Sequence, residues 1–257
     1  MVALPVSGLH VTLRRPAGEE DVLLFEAPQR DMRLTVGLLS RVARAESGDL
    51  RCEALPITDI EVLLLELRRL MFGDVVRGQA RCSSRKCGAR VDVSFRISDY
   101  LAHHAPRRAV RDLQPDGDEG WLTLMNAPVR FRLPVAADQI GVSGRPDAER
   151  MMIARCVDPP ELPQRLMARV TRALSMLAPS LADVVKGQCP ECRSEIAVYF
   201  DPQDFTLREL VGEAAMVFED VHLLASRYHW SESAIMSMTR ARRVQYAELI
   251  QREEGLA

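Results

Sequence analysis

The stretch Asp74-Val75-Val76-Arg77-Gly78-Gln79 recurs as Asp183-Val184-Val185-Lys186-Gly187-Gln188, with lysine in place of one arginine. A cysteine pair follows each copy, Cys82 and Cys87 in the first and Cys189 and Cys192 in the second. An alternating apolar run comes next: Val91, Val93 and Phe95 answer to Ile196, Val198 and Phe200 at the same spacing. Apolar residues at every second position form one face of a strand, so each copy reads as a two-stranded hairpin with cysteines at its tip. Asp99-Tyr100 then matches Asp204-Phe205. A repeat at this distance means that one supersecondary unit is used twice, and it reorganises the reading of everything around it. The extra residues of the first copy fall around its first cysteine and inside its cysteine loop, where a turn tolerates insertion.

The likeness extends upstream. Thr58 to Phe72 carries Ile60, Leu63, Leu64, Leu67 and Met71 on one helical face, with a Thr58–Glu61 capping box at its start and Gly73 at its end. Its counterpart is Pro163 to Leu177, with Leu166, Val170, Leu174 and Leu177 on one face and proline in the first turn. Earlier still, Leu38-Leu39-Ser40-Arg41 resembles Met152-Ile153-Ala154-Arg155, and short alternating strands open both halves at Val11–Arg14 and Val129–Leu133. The expected fold class is α+β: a duplicated strand-helix-hairpin module with a split zinc-ribbon-like site. The first repeat occupies residues 1–104. A linker rich in Pro, Arg, Asp and Gly follows at 105–120, then the second repeat at 121–205 and a helical docking segment at 206–257 without a counterpart.

Composition narrows the function classes. The chain has 257 residues, 47% of them apolar and 27% charged, which is ordinary for one large or two modest globular domains. Basic and acidic residues number 34 and 36, a net charge of −2, which argues against a bulk electrostatic grip on nucleic acid. Lys86 and Lys186 are the only lysines, a skew that reads as GC-rich coding rather than function. No apolar run approaches the ~20 residues of a spanning helix, and Met1–Leu9 lacks the basic start and apolar centre of a secretory signal. The expected location is the cytosol, with no membrane contact. Thiols stay reduced there, so paired cysteines point to metal or redox chemistry rather than disulfides.

Structural zinc takes four thiolate or imidazole ligands in a tetrahedron, supplied as two close pairs. One pair per repeat leaves each half short of a closed site. The economical solution brings the halves together, with Cys82, Cys87, Cys189 and Cys192 sharing one Zn2+ that clamps the two copies. Other arrangements compete. Each pair could recruit histidines, His103 and His104 in the first half or His222 and His229 in the second. The site could be a degenerate one that has lost its metal. Cys189-Pro190-Glu191-Cys192 could be a redox dithiol, although such motifs open a helix, and this one lies between two strands. Cys156 sits in an apolar stretch and reads as a small core residue. No HExxH, GxSxG, phosphate-binding loop or dinucleotide glycine pattern occurs, Gly141–Gly144 reads as a loop, and Glu19-Glu20-Asp21 fits a helix's first turn. No catalytic constellation emerges, and an enzyme is not expected.

The C-terminal segment, Thr206 to Ala257, reads as helical. Apolar residues from Leu207 to Tyr228 form one wide stripe over Thr206–Tyr228, and Ser231 caps a second helix with Trp230 and Ile235 at the staple positions. A third helix covers Arg240 to Gln251. Ordinary core packing accounts for the long stripe, and Glu248, Glu253 and Glu254 lie near the arginines. Tyr228, Trp230, Arg242, Arg243 and Tyr246 are nonetheless the candidate partner surface, because aromatic and Arg side chains are enriched at interfaces. Arg77, Arg81, Arg85, Lys86 and Arg90 cluster at the first cysteine turn. They sustain an alternative: a zinc-ribbon nucleic-acid-binding regulatory protein.

Phe72-Gly73-Asp74, the first cysteine pair, the alternating strand, Cys189-Pro190-Glu191-Cys192 and Phe200-Asp201-Pro202 together resemble the baseplate hub assembly chaperone family of T-even-type phages. Members also occur in gene clusters for phage-tail-like contractile injection systems. The C-terminal run is similar to the same family: Glu219-Asp220-Val221-His222, Leu224-Ala225, Tyr228-His229-Trp230-Ser231-Glu232, Ile235 and Tyr246. The chain departs from it at the first cysteine pair, which encloses four residues rather than two. The resemblance implies an assembly chaperone or structural subunit of a contractile tail's baseplate, with hub or wedge proteins as partners.

Overall fold

The computed structural model describes residues 1–107, 112–118 and 120–255. It is an α+β fold of small antiparallel sheets and many helices. The chain opens with β1 (Val2–Ala3) and β2 (His10–Leu13), then α1 (Gly18–Glu26), α2 (Met32–Val42) and β3 (Ala43–Ala45). A 3-10 turn at Cys52–Ala54 leads to α3 (Ile57–Phe72), the hairpin β4 (Val75–Arg81) and β5 (Arg90–Arg96), and α4 (Ile97–His103). Next come β6 (Leu113–Pro115), β7 (Trp121–Leu124), β8 (Arg130–Arg132), α5 (Ala136–Val142), α6 (Ala148–Cys156) and β9 (Val157–Asp158). Then follow α7 (Gln164–Leu177), the hairpin β10 (Asp183–Gln188) and β11 (Glu195–Phe200), and α8 (Pro202–Ala214). Three helices complete the described chain: α9 (Val217–Tyr228), α10 (Glu232–Met236) and α11 (Arg240–Gly255).

One succession of elements runs through each half: a strand, two helices, a strand returning antiparallel to the first, a helix, a hairpin and a helix. In the first half β3 pairs with β2 (Val11 opposite Ala45), and in the second β9 pairs with β8 (Phe131 opposite Val157). Local chemistry agrees between the halves. Arg14 donates to the Glu20 carboxylate at 2.9 Å, and Glu20 accepts the backbone N–H of Ala17. Arg132 likewise donates to Asp138 at 2.6 and 2.8 Å, and Asp138 accepts the N–H of Val135. Each carboxylate caps the first turn of its helix and neutralises an arginine leaving the strand before it. Proline occupies the N-cap of both α3 and α7.

The main core draws on both halves. Leu38 and Leu39 of α2 and Ile60, Leu63, Leu64 and Leu67 of α3 are fully buried, and Leu181, Phe200, Leu207 and Leu210 from the second half pack with them. A smaller core lies under β8 and β9, around Phe131, Val157, Val170 and Ala173.

Tertiary partners override several local expectations. Thr58 and Glu61 form no capping box, since α3 has Pro56 at its N-cap. Thr58 Oγ1 instead donates to the Pro179 carbonyl at 2.9 Å, and the Glu61 carboxylate accepts the Leu181 N–H at 3.1 Å, tying α3 to the second half. The expected continuous helix at 206–228 is broken at Ala215–Met216, and α9 begins at Val217. Leu113–Pro115, inside the expected linker, forms β6 and pairs with β7; residues 108–111 and 119 of that linker lie outside the described residues. Gly141 and Val142 end α5 rather than forming a loop. Among the described residues no helix is long and apolar enough to cross a membrane.

Candidate metal centre

The two hairpins stand side by side. At their bases Phe95, Tyr100, Phe200 and Phe205 form one aromatic cluster, with ring centroids 5.0 Å apart for Phe95 and Phe200 and 5.3 Å for Phe200 and Phe205. The Tyr100 hydroxyl donates to the Leu181 carbonyl at 2.5 Å. These contacts fix the angle between hairpins, so the two tips project together.

Tight turns then aim the thiols. In the first, the N–H groups of Cys87 and Gly88 donate to the Ser84 carbonyl, with Gly88 at φ 58°. In the second, the Arg193 N–H donates to the Cys189 carbonyl, with Arg193 at φ 59°. The Sγ atoms of Cys82 and Cys192 are 3.6 Å apart, those of Cys87 and Cys189 3.8 Å, and all four lie within 4.8 Å of one another. A tetrahedral zinc with bonds of ~2.3 Å has sulfur–sulfur edges of about 3.8 Å. A disulfide needs about 2.05 Å, and all six cysteines are free. The donor set and its spacing therefore fit a closed four-thiolate metal site. Val91 and Ile196 flank it, leaving Cys192 the most open of the four.

The electrostatics of the thiols point the same way. Cys192 is lowered to about 6, first through its contact with the Ser194 hydroxyl at 3.3 Å and the Ser194 backbone, then through neighbouring thiols. For Cys82 the Ser84 backbone N–H favours the thiolate, but burial and the three other sulfurs outweigh it and push the thiol up to about 12. One negative charge is accommodated readily and further ones are opposed. Four thiolates coexist only around a cation, so metal binding here expels protons.

None of the histidines of the competing arrangement, His103, His104, His222 or His229, joins the cluster, which among the described residues holds cysteines alone. His104 stacks on Tyr100 at 4.3 Å and faces Asp183. Cys156 is buried beside Asp138, and burial first of all raises its thiol to about 11. Arg77, Arg81, Arg85, Lys86 and Arg90 are exposed around the first tip.

The C-terminal candidates divide. Tyr228 stacks on Trp230 at 4.7 Å, Trp230 meets Tyr246 edge-on at 5.0 Å, and the Arg242 guanidinium lies 5.9 Å from the Tyr246 ring. The three rings are half-buried against Leu224, Ile235 and Ile250. Trp230 and Ile235 flank Ser231, whose hydroxyl accepts the Ala234 N–H. Arg243 is a correction: it is fully buried and cannot face a partner. It pairs with Asp21 of α1 and with Asp220 at 3.3 Å, and Arg240 also pairs with Asp21. This four-residue ionic lock holds α11 and α9 to α1. Local sequence gave no sign of it, because Asp21 and Arg243 lie 222 positions apart. The Arg68–Glu209 pair between α3 and α8, at 2.8 Å, escaped for the same reason.

A family model described as T4 bacteriophage base plate protein matches residues 3–159. No curated protein and no solved structure matches the chain.

Proposed function

The chain belongs to the T4 bacteriophage base plate protein family, and from that premise we propose that it is a non-enzymatic baseplate assembly protein, chaperone or structural subunit, of a contractile tail or contractile injection system. In this reading its halves are duplicated copies of one module, and a zinc ion held by Cys82, Cys87, Cys189 and Cys192 clamps their tips into a split zinc ribbon. The observation that carries the clamp is the convergence of four sulfurs from two separate hairpins within 4.8 Å. The repeated element order and the paired Arg14–Glu20 and Arg132–Asp138 caps support the duplication. Residues 1–104 and 121–205 are the copies; within 206–257, α8 closes the main core, and the docking surface is the ring cluster at Tyr228, Trp230 and Tyr246, with Arg242, which meets hub or wedge proteins in the cytoplasm or in the particle.

Two measurements test this. Elemental analysis of the purified chain is expected to return one zinc per chain, and the Cys82→Ser/Cys189→Ser variant none. Deletion of the gene is expected to yield particles lacking baseplates, and normal particles from the deletion strain would remove the assembly role.

A further inference from the structure

The four clustered thiols differ in exposure. Cys82 and Cys189 are buried, Cys87 is half-buried, and of the four only Cys192 is exposed. An oxidant arriving from solvent therefore meets Cys192 first. The sulfur contacts also have a direction. Those at 3.6 Å (Cys82 with Cys192) and 3.8 Å (Cys87 with Cys189) both cross from one hairpin to the other. The sequence places its cysteines as pairs within each turn, yet the fold lays each sulfur against one from the opposite half. Cys192 thus has a second sulfur in reach that belongs to a residue 110 positions away.

Metal-bound cysteines are thiolates, and the thiolate is the form that attacks a peroxide. An exposed thiolate with a resolving sulfur beside it is the arrangement of a redox-sensing cysteine. Closing a disulfide from 3.6 Å asks the two sulfurs to approach by roughly 1.5 Å. Both lie where the chain turns, Cys82 just beyond β4 and Cys192 between β10 and β11, and neither belongs to the main core. The movement is therefore confined to the tips.

We propose, on the metal-clamp reading above, that this centre is a peroxide-responsive switch: hydrogen peroxide oxidises Cys192, Cys82 resolves it, and a Cys82–Cys192 disulfide replaces the ion in joining the hairpins. The Cys192 thiolate attacks one peroxide oxygen, the O–O bond breaks, hydroxide leaves, and Cys192 becomes a sulfenic acid. The Cys82 thiolate then attacks the Cys192 sulfur, the S–S bond forms, and a second hydroxide leaves. The two sulfurs have together given up two electrons, and the peroxide has been reduced to two hydroxide ions. Cys87 and Cys189 are then the only thiolates left, half of the four ligands a structural zinc requires, so the metal is released. A disulfide within one turn would let the tips part at that point. This one ties opposite halves, so the tips stay together where the oxidant has removed the metal.

The test treats full-length protein, analysed for zinc beforehand, with hydrogen peroxide while a colorimetric chelator reads free zinc. Free thiols are then alkylated and the chain is cut without reductant. Cleavage after Arg81, Arg85, Lys86, Arg90, Lys186, Glu191 and Arg193 puts the four cysteines on separate peptides, so trypsin with a glutamate-specific protease and mass spectrometry identify the pair. Zinc release is expected to keep pace with a first disulfide between Cys82 and Cys192. Cys192→His keeps a zinc-binding side chain but has no sulfur, and is expected to release zinc roughly tenfold more slowly or less. The wild-type peptide map decides the matter if that variant fails to load. The Gly88 and Arg193 amides are expected to exchange roughly tenfold more slowly, or less, in oxidised protein than in reduced protein stripped with EDTA. A first disulfide within one turn, release without a disulfide, or Cys192→His releasing as fast as wild type would overturn the switch. Loaded protein that keeps its zinc in excess peroxide would overturn the switch and leave the clamp standing. A purified chain without metal would remove the clamp, and the switch with it.

Discussion

Removing the metal is expected to open the hairpin tips and leave the rest of the fold closed. The magnitudes follow from what holds each part. At the tips, among the described residues, only Val91 and Ile196 are buried side chains beside the sulfurs, worth roughly 1.5–3 kcal/mol each. The turns they hold, residues 83–89 and 190–194, comprise about twelve residues whose ordering costs about 1–2 kcal/mol apiece. Without metal the deficit is on the order of 10 kcal/mol, and a four-thiolate zinc supplies ~10–16 kcal/mol at neutral pH. The hairpin bases depend on the aromatic cluster and main core, which contain no metal ligand. Amide hydrogen exchange in metal-loaded and EDTA-treated full-length protein reads the two regions separately. The Gly88 and Arg193 amides, which donate within the turns, are expected to exchange at least a hundredfold faster after chelation, a change of about 2.7 kcal/mol or more. Amides in α3 are expected to keep their protection. Unchanged exchange at the tips would refute the clamp, and collapse of protection throughout α3 would refute a core that stands without it.

Gly18→Ala is expected to destabilise the C-terminal attachment by about 1–3 kcal/mol, because its Cβ would lie 2.8 Å from Met236 Cα and 2.9 Å from the Met236 carbonyl oxygen. Gly212→Ala, at an open site in α8, is expected to stabilise by roughly 0.5–1 kcal/mol; equal Tm shifts for the two would contradict the close approach. Arg243→Met leaves Asp21 and Asp220 buried without their shared partner and should cost roughly 3–5 kcal/mol, seen as early proteolysis after α8; a variant as stable as wild type would show the lock to be idle. Burial raises Glu61 from an ordinary 4.5 to about 7. A raised carboxyl favours the native state at low pH and loses that advantage as pH climbs through 7. Urea unfolding between pH 4.5 and 7.5 should therefore shift the balance between wild type and Glu61→Gln by about 3 kcal/mol in favour of the variant; a pH-independent difference would contradict it.

The parts legible in the sequence are those that repeat or act locally. The matched hexapeptides, the alternating strands and the cysteine spacing placed both hairpins and their thiols, because strand period and turn chemistry are local properties. The Ser231 cap with Trp230 and Ile235 was legible on the same ground. Errors arose where a side chain has a better partner far along the chain. Thr58 and Glu61 look like a capping box within four residues, yet the carbonyl of Pro179 and the amide of Leu181 claim them. Arg243 reads as a surface residue beside Arg242 until Asp21 is brought beside it. The break at Ala215–Met216 carries no Gly or Pro, and both helices keep their apolar stripes across it, so periodicity alone could not divide them.

The uneven burial of the modules follows from the length of two equivalent helices. Each hairpin is followed by a helix, but α8 runs for thirteen residues and α4 for seven. At 1.5 Å per residue these reach about 20 Å and about 10 Å. The longer helix spans three neighbours and closes the first module. The shorter one ends at His103 after packing on its own hairpin, with His104 turned onto Tyr100. The cover of the first half thus comes from the second, through Leu207, Leu210 and Ala214 of α8. The buried core then gathers in the first half, where α3 buries ten residues and α7 two. Substitutions should separate accordingly: large-to-small changes at buried positions of α2 and α3 are expected to cost more stability than those on α6 and α7, as read by Tm.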